Sequence, residues 1–245
     1  MTASLKGIRV LEMAQIMAGP TCGLLLADLG AEVIKIEKTP GGDDTRNFLP
    51  PEINGESAAF MMMNRNKKGI ALNLKDKDGI EIFKTMVKNS DVVLENFRKG
   101  TLEKLGVGYD VMSEINPKII LCEISGYGRT GPYADKGGFD LVAQGMSGLM
   151  SITGESKDKP PMKVGAPITD MFKDPQTIER EMVIEVNNKK AGKSKAIGMP
   201  IKFSKSKTEK SKGAPNLGEH TKEVMQIFGY KDDQIKDFYN RKVIL

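Results

Sequence analysis

Arg9 to Lys38 reads RVLEMAQIMAGPTCGLLLADLGAEVIKIEK. Its first part, Ile8 to Met13, is a short apolar run with the make-up of a buried strand. Gly19-Pro20 marks a turn, and Pro at a first helical position loses nothing by lacking its N–H. The helix carrying Leu24-Leu25-Leu26 stops at Gly30, a residue suited to a left-handed C-terminal cap. Ala31 to Ile36 is a second apolar strand. Strand, helix and strand in that order make a βαβ unit and therefore a parallel sheet. Such sheets bind ligands just beyond the carboxyl ends of their strands. Gln15 to Ala18 and Glu37-Lys38 are thereby singled out.

The pattern continues outward from this unit. Gly41 to Arg65 is a polar connection containing Pro and Gly, long for a compact domain and so a candidate for function. Gly69 to Leu74 is expected as a strand, Asp76 to Lys88 as a helix, and Asp91 to Phe97 as another strand. Two short helices, a strand over Lys118 to Ser125, the Gly-rich turn GYGRTG and a helix near Phe139 to Met150 follow. Alternating strands and helices predict an α/β fold with a doubly wound, parallel, Rossmann-like sheet. No internal repeat is present. After Asp170-Met171 the regularity breaks at a charge-Pro turn, FKDPQTIEREM. Two parts are expected: an α/β domain over residues 1–171, and a C-terminal segment over 172–245 with a short β-hairpin and a helix.

Composition narrows the function classes. The chain has 245 residues, 39% of them hydrophobic, enough for a sizeable core. No run reaches the roughly 20 apolar residues a membrane helix needs. The start, MTASLKGIRV, has no signal-peptide apolar region. Cys22 and Cys122 sit in apolar elements and are expected as buried, reduced thiols of a cytoplasmic protein. One histidine and two cysteines leave little for a Cys/His metal site. Nine lysines and one acid between Lys189 and Lys212 give a local excess of +8, so the formal +5 of the whole chain leaves about −3 elsewhere. That block has no arginine, only Phe203 as an aromatic, and breaks at Gly192, Gly198 and Pro200. It is expected to be a solvated hairpin with outward lysines rather than a nucleic-acid face.

Several long motifs carry a resemblance. They are the opening stretch itself, NRNKKGIALNL (Asn64 to Leu74), DVVLENFRKGTLEKLG (Asp91 to Gly106), NPKIILCEISGYGRTGPY (Asn116 to Tyr133), GGFDLVAQGMSGLMSITGE (Gly137 to Glu155) and LGEHTKEV (Leu217 to Val224). In this order they resemble the class III CoA-transferase family, which includes formyl-CoA transferase and α-methylacyl-CoA racemase. The stretch from Phe172 onward resembles the end of the family's chain, so the likeness implies that a central block is absent.

The resemblance implies an enzyme that moves CoA from an acyl-CoA to a carboxylic acid. By likeness to formyl-CoA transferase, CoA is held by Met17 and Ala18, Lys38, Leu72, Asn73, Leu74 and Lys75. Asn96, Phe97, Arg98 and Lys104 complete the first group, and Gly137, Gly138, Phe139 and Asp140 form a further turn. Cations at these positions suit the CoA phosphates, and the apolar members suit its pantetheine arm. Met17 stands where that enzyme has a glutamine, and Lys38 and Lys104 where it has arginines, which leaves the acid open. Asp170, at the end of KVGAPITD, is implied as the nucleophile that forms a mixed anhydride and then an enzyme–CoA thioester. No permanently bound cofactor and no metal is implied; CoA and acyl-CoA are substrates.

The partners implied are an acyl-CoA, a small carboxylic acid (a dicarboxylate by likeness to members acting on succinyl-CoA) and a second copy of the chain in a homodimer, with no nucleic acid or membrane. Phe139 replaces the histidine of the racemase branch, which disfavours acid/base racemisation. GYGRTG is not followed by Gly-Lys-Ser/Thr, which excludes a nucleotide-hydrolase loop. His220 is expected to cap or pack a tail helix. Two alternatives stand beside the transferase: a catalytically weak or inert CoA-binding remnant, and a basic nucleic-acid-binding protein resting on the lysine block.

Overall fold

The computed structural model describes residues 3–138, 140–146, 149–153, 156, 158–162, 183–198 and 212–245. Two compact units are present, the larger built from Met1–Ile124 and Met182–Leu245, the smaller from Ser125–Glu181.

In the larger unit, β1 (Arg9–Glu12), α1 (Ala18–Asp28) and β2 (Glu32–Glu37) form the expected βαβ unit. The Gly41–Arg65 connection has structure of its own. It contains a 3-10 turn at Asp44–Asn47, the two-residue strands β3 (Glu52–Ile53) and β4 (Glu56–Ser57), and α2 (Ala58–Asn64), capped by Ser57 Oγ. Next come β5 (Lys68–Ala71), α3 (Lys77–Lys88), β6 (Val92–Glu95), α4 (Thr101–Lys104), α5 (Tyr109–Ile115) and β7 (Ile120–Glu123). Asp76 caps α3 by accepting from the Asp78 N–H at 2.9 Å, and Lys88 lies in its last turn. Both features favour a helix there.

β1, β2, β5, β6 and β7 make one parallel sheet in the order β5-β2-β1-β6-β7. Between β1 and β6 the direction of winding reverses: the chain runs outward through β2 and β5, then returns to β6. Alternation along the strands divides the core between the two faces. Leu11, Ile34, Ile70 and Val93 join Phe83 and Met86 of α3 on one face, while Val10, Val33 and Leu94 meet Ala27 of α1 on the other.

The outer edge of β5 is covered by the C-terminal part. The hairpin strands β8 (Val183–Asn188) and β9 (Gly192–Ile197) precede α7 (Thr221–Ile227) and α8 (Asp232–Asn240). His220 exchanges two bonds with Gly69, its N–H donating to the Gly69 carbonyl at 2.9 Å and its Nδ1 accepting from the Gly69 N–H at 3.1 Å. Val243 and Ile244, both fully buried, continue the cover, with Ile244 bridged to Leu72. Edge amides that would face solvent are thus satisfied. On the hairpin Lys193 and Lys195 are exposed, and Lys189 and Lys190 pair with Glu219 and Glu56.

Cys22 and Cys122 are free but only half-buried, a departure from full burial. Cys122 lies on β7, which among the described residues is the last strand of the sheet and has a strand neighbour on one side only. In the smaller unit α6 (Asp140–Met146) precedes a 3-10 turn at Leu149–Ile152, and Gly126 packs its backbone against Gly138 so closely that a Cβ at either position would collide. Among the described residues no helix is long and apolar enough to cross a membrane.

Candidate functional site

The reversal of winding puts the ends of β1 and β6 side by side with helices departing to opposite faces, which opens a crevice at the carboxyl edge of the sheet. Four of the sequence-predicted segments reach this edge: Met17-Ala18 after β1, Lys38 after β2, Leu72–Lys75 after β5, and Asn96–Arg98 after β6. The four strands span three gaps of about 4.8 Å each, so these segments share a rim about 14 Å wide. Lys104 stands on α4, which follows the β6 loop. Met17, Ala18, Lys38, Lys75, Arg98 and Lys104 are exposed. Leu72 is fully buried and belongs to the core, and Phe97 packs partly against it. Gly137, Gly138 and the backbone of Asp140 lie in the smaller unit; Phe139 and Asp170 fall outside the described residues.

Several of these side chains are already engaged. Lys38 Nζ meets Asp44 Oδ1 at 2.5 Å, an exposed pair that water and an incoming anion can displace. Asn73 Oδ1 accepts from the Lys75 N–H at 3.1 Å, while the Asn73 N–H donates to the Val243 carbonyl at 2.8 Å. Asn96 turns its amide back onto the neighbouring loop. Its Oδ1 accepts from the Gln15 N–H at 2.8 Å and its Nδ2 donates to the Gln15 carbonyl at 2.7 Å.

Beneath the crevice lies a charged group that periodicity alone did not reveal. Glu12, the last residue of β1, and Lys35, inside β2, are register partners on the face that meets α1, and both are fully buried. Lys35 Nζ has three partners: Glu12 Oε1 at 3.2 Å, the Ala14 carbonyl at 2.9 Å and Asp43 Oδ2 at 2.9 Å. Lys67 Nζ also has three: Glu12 Oε2 at 2.7 Å, the Pro20 carbonyl at 2.8 Å and Asn64 Oδ1 at 2.9 Å. Each ammonium donates two hydrogen bonds and makes one ion pair besides, Lys35 with Asp43 Oδ2 and Lys67 with Glu12 Oε2, and those two buried oxygens accept no hydrogen bond. Two cations and two carboxylates make the set neutral overall. Burial pulls the Lys35 pKa down, but Glu12 and Asp43 outweigh it and the net shift is upward. Burial dominates at Lys67, aided by Lys35 against the pull of Glu12, and its pKa falls to about 8. Burial raises the Asp43 pKa, but Lys35 and the Thr45 hydrogen bonds hold it below the usual carboxylate range. The sequence did carry a signal: Glu12 and Lys35 interrupt apolar strands at positions in phase with Val10 and Val33.

A cavity of about 570 Å³ opens at the opposite, amino edge of β2 and β5. It does not coincide with the crevice. Lys68 in its wall pairs with Glu32 and Glu223, and Lys189 with Glu219, so these cations are already spent.

A model of CoA-transferase family III matches residues 5–173 and 167–221. The chain is 42% identical over 203 residues to the succinate–glutarate CoA-transferase of Agrobacterium fabrum, covering 80% of this chain and 50% of that protein. It is 47% identical over 167 residues to the succinyl-CoA:glutarate CoA-transferase of Mus musculus, covering 68% and 38% respectively. It therefore spans half or less of the length of these curated relatives. A crystal structure of a CAIB/BAIF family protein from Brucella suis superposes with a TM-score of 0.82 at 24% identity, covering 93% of this chain and 100% of that one, a likeness of fold.

Proposed function

The chain belongs to CoA-transferase family III, and from that premise we propose that it binds an acyl-CoA at the β1/β6 crevice and passes the CoA to a small dicarboxylic acid. One observation supports this: four of the expected contact segments lie together at the carboxyl edge of the sheet, where the winding reverses between β1 and β6. Lys38, Lys75, Arg98 and Lys104 offer exposed cations to the CoA phosphates, and Ile16, Met17 and Phe97 offer apolar surface to its arm. Two relatives acting on glutarate, by name, favour a dicarboxylate acceptor.

In this scheme the Asp170 carboxylate attacks the thioester carbonyl, giving an acyl-aspartyl anhydride and CoA thiolate. The thiolate attacks the aspartyl carbonyl, giving an aspartyl–CoA thioester and the free donor acid. The acceptor carboxylate then repeats the two steps in reverse. Residues 1–171 supply the CoA-binding part and 172–245 the closing segment; a homodimer in the cytoplasm is the working assembly.

A second reading, a catalytically weak CoA-binding remnant, is favoured by the sequence that follows Asp170, Phe172-Lys173-Asp174-Pro175. A proline disfavours helical backbone at the residue before it, so this run of sequence is not that of an uninterrupted helix opening at Asp170. An anhydride without water-excluding neighbours hydrolyses before an acceptor arrives. The expected outcome is CoA binding with slow turnover, hydrolysis of the thioester dominating. Incubation with succinyl-CoA and glutarate, hydroxylamine trapping and mass mapping of the modified residue test both readings. Rapid transfer lost in Asp170→Ala upholds the transferase; hydrolysis alone upholds the remnant; no CoA binding by the folded chain overturns both.

A further inference from the structure

The turn joining β1 to α1 has a strained backbone. Ile16 sits at φ +67°, in the left-handed region that β-branched residues avoid. Such a conformation is strained and persists only where its surroundings over-determine it. Ile16 and Met17 are nevertheless 41% and 57% exposed, so apolar packing does not impose it. α1 does not impose it either, because Met17 makes no side-chain cap bond.

The backbone on both sides of the turn is instead gripped by polar groups. Asp43 Oδ1 accepts from the Ile16 N–H at 3.1 Å and is itself fixed by the Thr45 N–H and hydroxyl at 3.0 and 2.8 Å. Its other oxygen holds Lys35, which also donates to the Ala14 carbonyl. Glu12 links Lys35 to Lys67, whose ammonium donates to the Pro20 carbonyl. Asn96 grips Gln15 from the β6 side. The ion chain thus ends on backbone groups at Ala14, Ile16 and Pro20, and the exposed residues Met17 and Ala18 lie between them.

We infer that the buried chain Asp43–Lys35–Glu12–Lys67, together with the Asn96 amide, is a positioning device that presets the Gln15–Ala18 turn for the thioester end of the substrate. This rests on the proposed CoA site and adds to it the buried charges Asp43, Lys35, Glu12 and Lys67, none of them among its expected contact residues, and gives Asn96 a second task there. A neutral ion chain, two of whose buried carboxylate oxygens accept no hydrogen bond, is costly to bury compared with apolar side chains of similar volume, so its presence here is weak evidence for stability and better evidence for a geometric task. The strain at Ile16 is the task it performs.

Amide exchange followed by NMR, together with calorimetric titration of coenzyme A, tests this. In Asp43→Ala the Gln15 and Ile16 amides should exchange at least tenfold faster relative to the β2 and β5 amides of the same variant, and CoA should bind at least tenfold more weakly. Asp43→Asn keeps an acceptor for the Ile16 N–H but not the charge facing Lys35. It should lower global stability as Asp43→Ala does, yet recover most of the local protection, an effect a merely stabilising charge would not show. If Asp43→Ala does not fold, Asn96→Ala, which leaves the buried charges untouched, should give the same local loosening at Gln15. Unchanged relative exchange at the turn in a folded variant overturns the inference. Absence of CoA binding by the folded wild type would overturn the functional reading, while the exchange comparison still decides whether the turn is preset.

Discussion

Replacing Gly23 with alanine separates helix propensity from tertiary context, because the two demand opposite signs. Gly23 lies inside α1, where Gly→Ala ordinarily gains about 0.8–1 kcal/mol. Here a Cβ would sit 1.7 Å from Glu12 Oε2, 2.8 Å from Glu12 Cδ and 3.3 Å from Lys67 Nζ. The end of a free glutamate would swing away at little cost. This one is fully buried and held at 3.2 and 2.7 Å by two ammoniums, so a retreat of more than an ångström breaks at least one pair. Overpacking costs about 1–3 kcal/mol, and full removal of one partner from a buried pair about 3–5 kcal/mol. After the propensity gain is subtracted, about 2 kcal/mol of net destabilisation is expected. For a chain of this size that lowers Tm by about 4–8 °C. Thermal unfolding by circular dichroism reads it, and a double-mutant cycle locates it: in a Glu12→Ala background the added methyl has no clash, and Gly23→Ala should become neutral or stabilising. A Gly23→Ala protein as stable as wild type, with Glu12 intact, would refute the placement of the carboxylate against α1.

The other expectations concern single contacts. Ile244→Ala removes a fully buried side chain from the cover of β5 and should cost about 2–5 kcal/mol by urea unfolding; a loss below 1 kcal/mol on the same scale would mean the C-terminal cover does not hold the edge. Burial holds the His220 pKa below its ordinary 6.5, against the pull of Glu219 and Glu223, and its neutral Nδ1 accepts from Gly69. The unfolded chain therefore binds the proton more readily. This contribution is present above pH 6.5 and lost as pH falls from there toward the folded value, a slope that should flatten in His220→Ala. Lys38→Ala and Arg98→Ala should each weaken CoA binding by about 1–3 kcal/mol in calorimetry, Lys38 nearer the lower bound because Asp44 already competes for it. β7 leaves Ile120 61% exposed at the last strand of the sheet, so light scattering should find self-association; a stable monomer at micromolar concentration would contradict the homodimer.

Sequence alone determined the strands of the parallel sheet and the helices between them, though not β3, β4 and α2 within Gly41–Arg65, because hydrophobic period and chain punctuation are local properties. Gly30 ends α1, Asp76 caps α3, and the apolar runs around Val10, Val33, Ile70, Val93 and Leu121 are all strands of the parallel sheet. It also placed the family, through motifs that remain legible one residue at a time. What it could not determine was which charges meet. Glu12 and Lys35 stand 23 positions apart, Gln15 and Asn96 81, Gly69 and His220 151. In the sequence Asn96 looks like a ligand contact and Asp43 like a loop acid; only the packed sheet shows both gripping the turn beside Met17. Strand order decides this, because the neighbours of β1 are β2 and β6, and so Lys35, the loop after β2 that carries Asp43, and Asn96 after β6 are brought to its carboxyl end. Burial decides the rest: a lysine in water is an ordinary surface charge, but Lys35 and Lys67, sealed beneath α1, must find every partner within the protein, and beside Glu12, Asp43 and Asn64 those partners include the backbone carbonyls of Ala14 and Pro20 on either side of the turn.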